Sequence, residues 1–422
     1  MGRLGVLATL AGLLLAAPVC PQDQTPAPAP STPATAGPDR IRGWRGDGTG
    51  RFPEARPVTE WSPEKNVLWQ AEVGSSYSSP IVVGERVLLT AEPADLVCVG
   101  ALDGKVLWRR SNGAADLPPE LRPQGAMPAV KTDCGNTAPT PVSDGRNVYV
   151  CFNSGVVAAY DLDGNRRWMK YFNLPPPISH GRSASPVLAG GLLLIHLAHL
   201  IALAPVTGAV VWEAKGAIAT YGTPAVARIG GKEVVVTPQG DIVRVSDGRI
   251  LASKIAQMAY VTPLVHGDTV YFIDKQSVAV KLPDVMADEI KTKDLWFADL
   301  EGEFFASPVC HDGLIHTVSN EANYFVIEAA TGKILLEKKP LGPELARPEV
   351  NPPASVYAGL VLAGRGLFLF NTAGDGLLLE PSANYRETGR GRLPAGAPGT
   401  PAFWGGRMYA RGGGTLYCVG AR

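Results

Sequence analysis

The apolar positions of this chain fall into short runs that are separated by turn residues. Between Ser78 and Arg110 there are four such runs, and Gly84 and the pair Asp103-Gly104 mark two of the turns. Strand-length runs bounded by Gly, Pro and Asp are typical of an antiparallel meander. One four-stranded sheet cannot bury both of its faces alone, so we expect this unit to be one of several.

Both ends of this unit recur along the chain. Each copy opens on a small residue, a Pro and an apolar run, and several copies close on a turn Gly with Trp four residues later. The openings lie at Pro80, Pro141, Pro186, Pro224, Pro263, Pro308 and Pro401, with Gly359 at the same position in one more copy. Four-stranded units at intervals of about forty residues predict an all-β fold, an eight-bladed β-propeller.

The two ends of the chain complement each other. The last copy supplies three strands, and a lone strand at residues 66–73 precedes the first copy. We predict that residues 66–73 pair with residues 415–419 and close the ring, which removes free sheet edges. A recurring aromatic position is usually core, so we predict that one set of tryptophans packs between blades. These are Trp69, Trp108, Trp168, Trp212 and Trp296.

Composition and the N-terminal residues set the domain organisation. The 422 residues carry no net charge, which gives no basic surface for nucleic acid. Residues 1–20 combine Arg3 with an apolar run and predict a signal peptide. Residues 21–40 are rich in Pro and Ala and predict a disordered linker before a propeller domain at 41–422. We therefore expect export to the periplasm or cell envelope.

Several cysteine and N-terminal features leave alternatives open. Cys20 follows a poor match to a lipobox, so a membrane tether through Cys20 is the weaker alternative to simple export. Residues 43–64 lack a phosphate-loop context and are predicted to be an irregular arm anchored by Trp44 and Trp61. Cys134 and Cys151 are the best disulfide candidates, and buried free thiols are the alternative.

The Ser/Thr-Pro openings and the Ala-x-x-x-x-Thr-Gly-x-x-x-Trp closings resemble the pyrroloquinoline quinone (PQQ) repeat. Residues 202–212 are the fullest copy, although they lack the usual Asp after Ala202. The resemblance covers about residues 44–421 and implies a PQQ-repeat, quinoprotein-like propeller. That family includes PQQ-dependent dehydrogenases and a BamB-like, non-catalytic branch of exported bacterial proteins.

The resemblance implies a catalytic site that this sequence does not match. The dehydrogenases carry a vicinal Cys-Cys pair and a calcium set of Glu, Asn and Asp. This chain has no Cys-Cys pair, and no calcium set aligns convincingly. We therefore expect no catalytic residues, no metal ligands and no cofactor, and PQQ with calcium belongs only to the alternative interpretation.

Residues three positions before the openings are aromatic in four of eight copies. They enter the innermost strands, where the central channel should open. With their neighbours they form our candidate binding set: Tyr77, His180, Arg182, Tyr221, Tyr260, Glu303, Phe304 and Phe305. We expect a partly exposed aromatic funnel with Arg182 as a charged donor at its rim. Packing of each ring between blades is the alternative.

We interpret the chain as an exported, monomeric, non-catalytic propeller that binds a protein or an envelope polymer. The first alternative is a quinoprotein-like oxidoreductase with a degenerate site. The second is a sensor that binds a small ligand or a carbohydrate. Loops on a rigid scaffold often carry specificity, so the insertion at 111–136 and the Pro-rich excursion at 338–353 are further candidate partner sites.

Overall fold

The computed structural model describes residues 1–2, 42–123, 134–175, 178–338, 341, 345, 354–393 and 399–421. The chain divides into two compact units, residues 1–35 and 36–422, and all described strands belong to the second. Apart from Met1 and Gly2, the predicted signal peptide lies outside the described residues. The linker, Cys20 and most of the excursion at 338–353 also lie outside them. No helix in the described part has the length and hydropathy needed to cross a membrane.

The described residues form eight sheets, and each contains a four-stranded antiparallel unit that is one of the eight predicted blades. Blades 1 to 4 consist of Ile81–Val83, Arg86–Ala91, Asp95–Gly100, Val106–Ser111; Val142–Ser143, Asn147–Cys151, Val156–Asp161, Arg166–Tyr171; Val187–Ala189, Leu192–His196, His199–Leu203, Val210–Ile218; and Ala225–Ile229, Lys232–Val236, Ile242–Arg244, Ile250–Ala252. Two short 3₁₀ helices, Ala114–Asp116 and Pro119–Leu121, lie in the insertion after blade 1.

Blades 5 to 8 repeat the same order, and blade 8 takes its outer strand from the start of the chain. They consist of Leu264–His266, Thr269–Phe272, Gln276–Lys281, Lys293–Asp299; Val309–His311, Leu314–Val318, Tyr324–Glu328, Ile334–Lys338; Val361–Ala363, Gly366–Phe370, Asp375–Leu379, Glu387–Arg392; and Ala402–Trp404, Arg407–Gly412, Thr415–Val419, Val67–Glu72. Val67–Glu72 pairs antiparallel with Thr415–Val419, so the predicted closure of the ring is confirmed.

The tight turns place each blade tryptophan against the following blade. The indole Nε1 of Trp108 donates a hydrogen bond to Leu162 O at 3.0 Å, and a Cβ on Gly164 would lie 2.7 Å from the same indole. The other four blade tryptophans repeat this arrangement. Their acceptors are Ala101 O for Trp69 (3.2 Å), Pro205 O for Trp168 (2.7 Å), Val245 O for Trp212 (2.8 Å) and Ala329 O for Trp296 (2.8 Å). These side chains therefore lie at the seams between blades.

The core lies between blades rather than at one centre. One apolar cluster joins Leu88 and Cys98 of blade 1 to Val150 and Ala158 of blade 2, and all four side chains are fully or nearly fully buried. Successive strand residues point to opposite faces of a sheet, so each blade can bury one face against each neighbour. Each blade therefore packs between its two neighbours around the ring.

Residues 42–61 form an arm that we call the strap. Arg51–Phe52 pairs with the first strand of blade 7, and Glu60–Trp61 pairs with its fourth strand, so blade 7 lies in a six-stranded sheet. Trp61 is 2% exposed and packs on Phe368, with ring centroids 5.9 Å apart. At its other end the strap bridges to blade 2 through Arg42 and Ser143. The strap therefore crosses the centre of the ring.

Candidate functional site

Seryl and threonyl side chains hold the first strands of neighbouring blades together. The backbone N–H before each first strand donates to the Ser or Thr hydroxyl at the same position of the next blade. Six such bonds occur: Ser79 to Thr140, Thr140 to Ser185, Ser185 to Thr223, Thr262 to Ser307, Gly359 to Thr400 and Thr400 to Ser79, at 2.9–3.1 Å. We call this set the hydroxyl ring. It surrounds the central axis where the first strands begin, at the end of the propeller that we call the mouth.

Five aromatic side chains at the mouth form a continuous series, which we call the aromatic arc, and four of them stand two residues before a position of the hydroxyl ring. His180 and Tyr221 have ring centroids 5.7 Å apart, and Tyr221 stacks on Tyr260 at 4.8 Å and 12°. Tyr260 then meets Phe305 edge-on at 4.5 Å, and Phe305 meets Tyr357 at 5.0 Å. The arc runs from the linker before blade 3 to the start of blade 7.

Tyr357 is a member of the arc that the sequence analysis missed. We expected Gly359 at the Pro position of blade 7, which put Val356 three residues before it. That alignment is wrong by one residue: Gly359 N donates to the Thr400 hydroxyl and thus takes the Ser/Thr position, with Leu360 at the Pro position. The missing Pro hid the register, although the apolar run Val361–Ala363 was a usable signal.

The solvent-exposed fraction of each aromatic side chain shows whether it lies at the surface of the mouth or in the core. Tyr77 is 47% exposed, Tyr357 44% and Tyr260 36%. Phe305 is half-buried within the arc. Phe304, in contrast, is 1% exposed and packs against Phe325 with centroids 5.9 Å apart, so it belongs to the core and cannot contact a partner.

Arg182 does not take the role that we expected. Its side chain is 3% exposed, and its guanidinium donates to the backbone carbonyls of Asn153, Leu174 and Leu197. Burial lowers the pKa of this guanidinium. Arg182 therefore joins blade 3 to blade 2 from inside, and the prediction of a charged donor at the rim is wrong.

Carboxyl groups flank the arc between blades 5 and 6. Glu303 is exposed, and its backbone carbonyl accepts a hydrogen bond from Asn320 N at 2.7 Å. Burial raises the pKa of the nearby Asp274 carboxyl, and the charge of Glu303 raises it further. Burial also raises the pKa of the Tyr260 phenol, with Tyr221 and Glu303 adding to the effect. This part of the mouth is therefore aromatic and locally acidic.

The described cysteines are all free thiols, so the candidate disulfide between Cys134 and Cys151 does not form in this structure. Cys151 is buried, its thiol lies 3.8 Å from Ala184 O, and burial raises its pKa to about 12. Cys134 is half-buried and contributes to the raised pKa of Tyr260. The end of the insertion after blade 1 therefore lies beside the arc.

The described residues contain no group of three His, Cys, Asp or Glu side chains placed to hold a metal ion. The sequence also lacks the vicinal cysteine pair of the PQQ dehydrogenases.

Eight blades, a ring closed by the N-terminal strand and Ser/Thr-Pro openings define the class of PQQ-repeat β-propellers. The sequence matches a family model described as outer membrane protein assembly factor BamB over residues 57–287, more than half of the chain. The chain belongs to this family. Among curated proteins, no sequence matches it.

Solved structures share this architecture at low sequence identity. BamB from Moraxella catarrhalis matches with a TM-score of 0.58 and 12% identity, over 84% of this chain and 97% of that chain. A europium-containing methanol dehydrogenase matches with a TM-score of 0.61 and 11% identity, over 84% of this chain and 93% of that chain. The computationally designed protein Ika8 matches with a TM-score of 0.57 and 10% identity, over 86% of this chain and 100% of that chain. At these identities the likeness shows the fold alone.

Proposed function

We propose that the protein is an exported, non-catalytic scaffold that binds a protein partner at the mouth of the propeller. The observation that carries this proposal is the aromatic arc, five contacting rings that a rigid ring of blades presents at one end. Tyr is enriched at protein interfaces because it offers a large apolar surface with a polar tip. Membership of the BamB family adds support for a protein partner.

Photo-crosslinking tests this proposal directly. We would replace Tyr357 by a photoreactive phenylalanine and irradiate producing cells. The matched control is Val206, which is 84% exposed and lies in the tight turn of blade 3 at the other end of the propeller. We expect a discrete protein adduct from position 357 and none from position 206. Combining Tyr260→Ala with Phe305→Ala should weaken that adduct.

The same experiment distinguishes the other binders. An adduct at position 357 that resists protease indicates an envelope polymer or a carbohydrate, and then the protein-partner proposal fails. Equal adducts at both positions, or none at position 357, would remove the mouth as a binding surface. Fractionation of the producing cells tests export, which rests on the pattern of residues 1–20.

The second candidate is a quinoprotein-like oxidoreductase, favoured by the shared fold of the europium-containing methanol dehydrogenase. A fold does not confer a function, and this chain lacks the vicinal cysteine pair that the PQQ dehydrogenases carry. We therefore expect no dye reduction after incubation with PQQ and calcium in the presence of alcohols or sugars. Sustained reduction above a heat-treated control would favour the oxidoreductase over the scaffold.

A further inference from the structure

A cavity of about 250 Å³ lies at the centre of the ring, between the strap and the first strands of blades 2 to 5. Its walls are largely aliphatic and include Val187, Leu188, Val226 and Leu264. Ligand pockets are commonly apolar with a few well-placed polar groups. A dry cavity of about 150 Å³ already holds benzene, so this one has room for a somewhat larger molecule.

One charged residue of the cavity lining is Arg45, whose guanidinium forms no direct ion pair with a carboxylate of the described residues. Arg45 is 3% exposed, and its Nε and Nη2 donate to Leu360 O at 3.2 and 2.8 Å. Nη2 also donates to Pro308 O at 2.6 Å. These bonds leave the Nη1 donors unused by the described part of the chain. Burial lowers the pKa of Arg45 to about 9, and the charge of Asp47 opposes this shift only in part, because a buried charge is costly.

A second polar group is the hydroxyl of Thr262, which lines the same cavity. Thr262 is 4% exposed, and its Oγ1 has no hydrogen-bond partner in the described structure. Thr262 belongs to the hydroxyl ring because its backbone N–H donates to the Ser307 hydroxyl. Its own hydroxyl, however, accepts no hydrogen bond from the backbone of blade 4. A buried hydroxyl without a partner carries a desolvation cost that a bound ligand can remove.

Neither acidic residue of the cavity forms an ion pair with Arg45, although the charge of Asp47 acts on it at a distance. Glu233 accepts hydrogen bonds from Gly190 N at 2.5 Å and from Arg228 at 2.8 Å, so its carboxylate is already paired. Asp47 is exposed, and its Oδ1 accepts from the N–H and hydroxyl of Thr49. Arg45 is therefore the cationic residue of the cavity lining, and no carboxylate of that lining is bonded to it.

We propose that this cavity binds the carboxylate of a short aliphatic acid. The carboxylate accepts hydrogen bonds from Arg45 Nη1 and from the Thr262 hydroxyl, and the alkyl chain packs against the aliphatic walls. Guanidinium groups suit carboxylates because the charge-assisted bonds are strong. The site includes Thr262 of the hydroxyl ring, and the proposal does not rest on partner binding at the mouth.

Calorimetric titration with octanoate, and with octanol as the uncharged match, tests the proposal on the full propeller. We expect octanoate to bind at least tenfold more tightly than octanol. Thr262→Val keeps the side-chain shape and should weaken octanoate about tenfold, the loss of one hydrogen bond to a charged group. Ala225→Leu fills the cavity and should abolish binding, whereas Val206→Leu, at an exposed turn, should not.

Arg45→Met should remove the preference for octanoate over octanol. If that variant does not fold, Thr262→Val and Ala225→Leu still decide the question, once their melting temperatures show that they are folded. Equal affinity for octanol and octanoate would overturn the proposal. Unchanged octanoate binding in Thr262→Val and Ala225→Leu would overturn it as well.

Discussion

At the scale of single residues, neighbouring positions at the mouth have opposite roles. Phe304 and Phe305 are adjacent in sequence, yet Phe304 is buried against Phe325 while Phe305 belongs to the aromatic arc. Successive residues of an extended chain point to opposite sides, so one faces the core and the next faces the channel. Truncation of these side chains should therefore affect stability very unequally.

Phe304→Ala should lower the free energy of unfolding by about 3–5 kcal/mol, the usual cost of removing a buried aromatic side chain. Tyr357→Ala should lower it by only about 1 kcal/mol, because Tyr357 is 44% exposed and contacts one ring of the arc. Urea unfolding of both variants checks this. Equal losses would mean that Tyr357 is part of the core and that the mouth is not a binding surface.

Two buried histidines predict a loss of stability in mild acid. Burial lowers the pKa of His196 and of His316 from 6.5 to about 4. Between pH 6.5 and about pH 4 the unfolded chain binds protons at these histidines that the native state does not bind. The free energy of unfolding therefore decreases as the pH falls through this range. The full effect is about 3 kcal/mol for each group.

Thermal melts between pH 7 and pH 4 measure this dependence. His196→Gln should remove about half of it, since His316 still contributes, and His266→Gln, at an exposed position, should leave it unchanged. A dependence that both variants share with the parent protein would show that His196 does not titrate in this window.

At the scale of elements, the tight turn of each blade is shaped to receive the indole of the preceding blade. Gly164 has φ +83° and faces the ring of Trp108, and the same contact recurs at the seams of Trp69, Trp168, Trp212 and Trp296. The turn needs a residue that adopts positive φ and has no side chain in the path of the indole. The repeat motif is thus an inter-blade contact, and it requires no cofactor.

Gly164→Ala should lower the free energy of unfolding by about 2–5 kcal/mol, from backbone strain together with overpacking against Trp108. Gly267→Ala is the matched control, because Gly267 has φ +61° but nothing within 4 Å of a new Cβ. It should cost only the strain, about 1–2 kcal/mol. Similar losses in both variants would show that the indole moves aside without cost.

At the scale of the whole molecule, stability depends on closing the ring. The strand Val67–Glu72 completes blade 8, and Thr400 N donates to the Ser79 hydroxyl across the same seam. Without the closing strand, Thr415–Val419 becomes an exposed edge, which is a template for aggregation. The strand from the N-terminal side and the strands from the C-terminal side therefore complete blade 8 together.

A chain that begins at Ser75 should aggregate or melt at a markedly lower temperature than a chain that begins at Asn66. Both lack the strap, so the comparison isolates the closing strand. Light scattering and thermal melts of the two truncated chains measure the difference. Equal behaviour would mean that the ring is stable without the strand from the N-terminal side.

The sequence by itself determined the blades, their number, their closure and the tryptophan positions. These features follow from local turn chemistry and strand-length runs, which repeat within each unit of about forty residues. It also predicted most of the arc, because Tyr221, Tyr260 and Phe305 stand at one repeat position.

Only the tertiary structure decided the rest. The register of blade 7, and with it Tyr357, became visible through the bond from Gly359 to Thr400, which lie far apart in sequence. The insertion of Arg45 likewise depends on the carbonyl groups of Pro308 and Leu360, which lie far along the chain. The burial of Arg182 depends on three nearer carbonyl groups that the packing of blades 2 and 3 brings around its side chain. Repeat patterns describe each blade, whereas these contacts arise only when the strap and the blades meet around one axis.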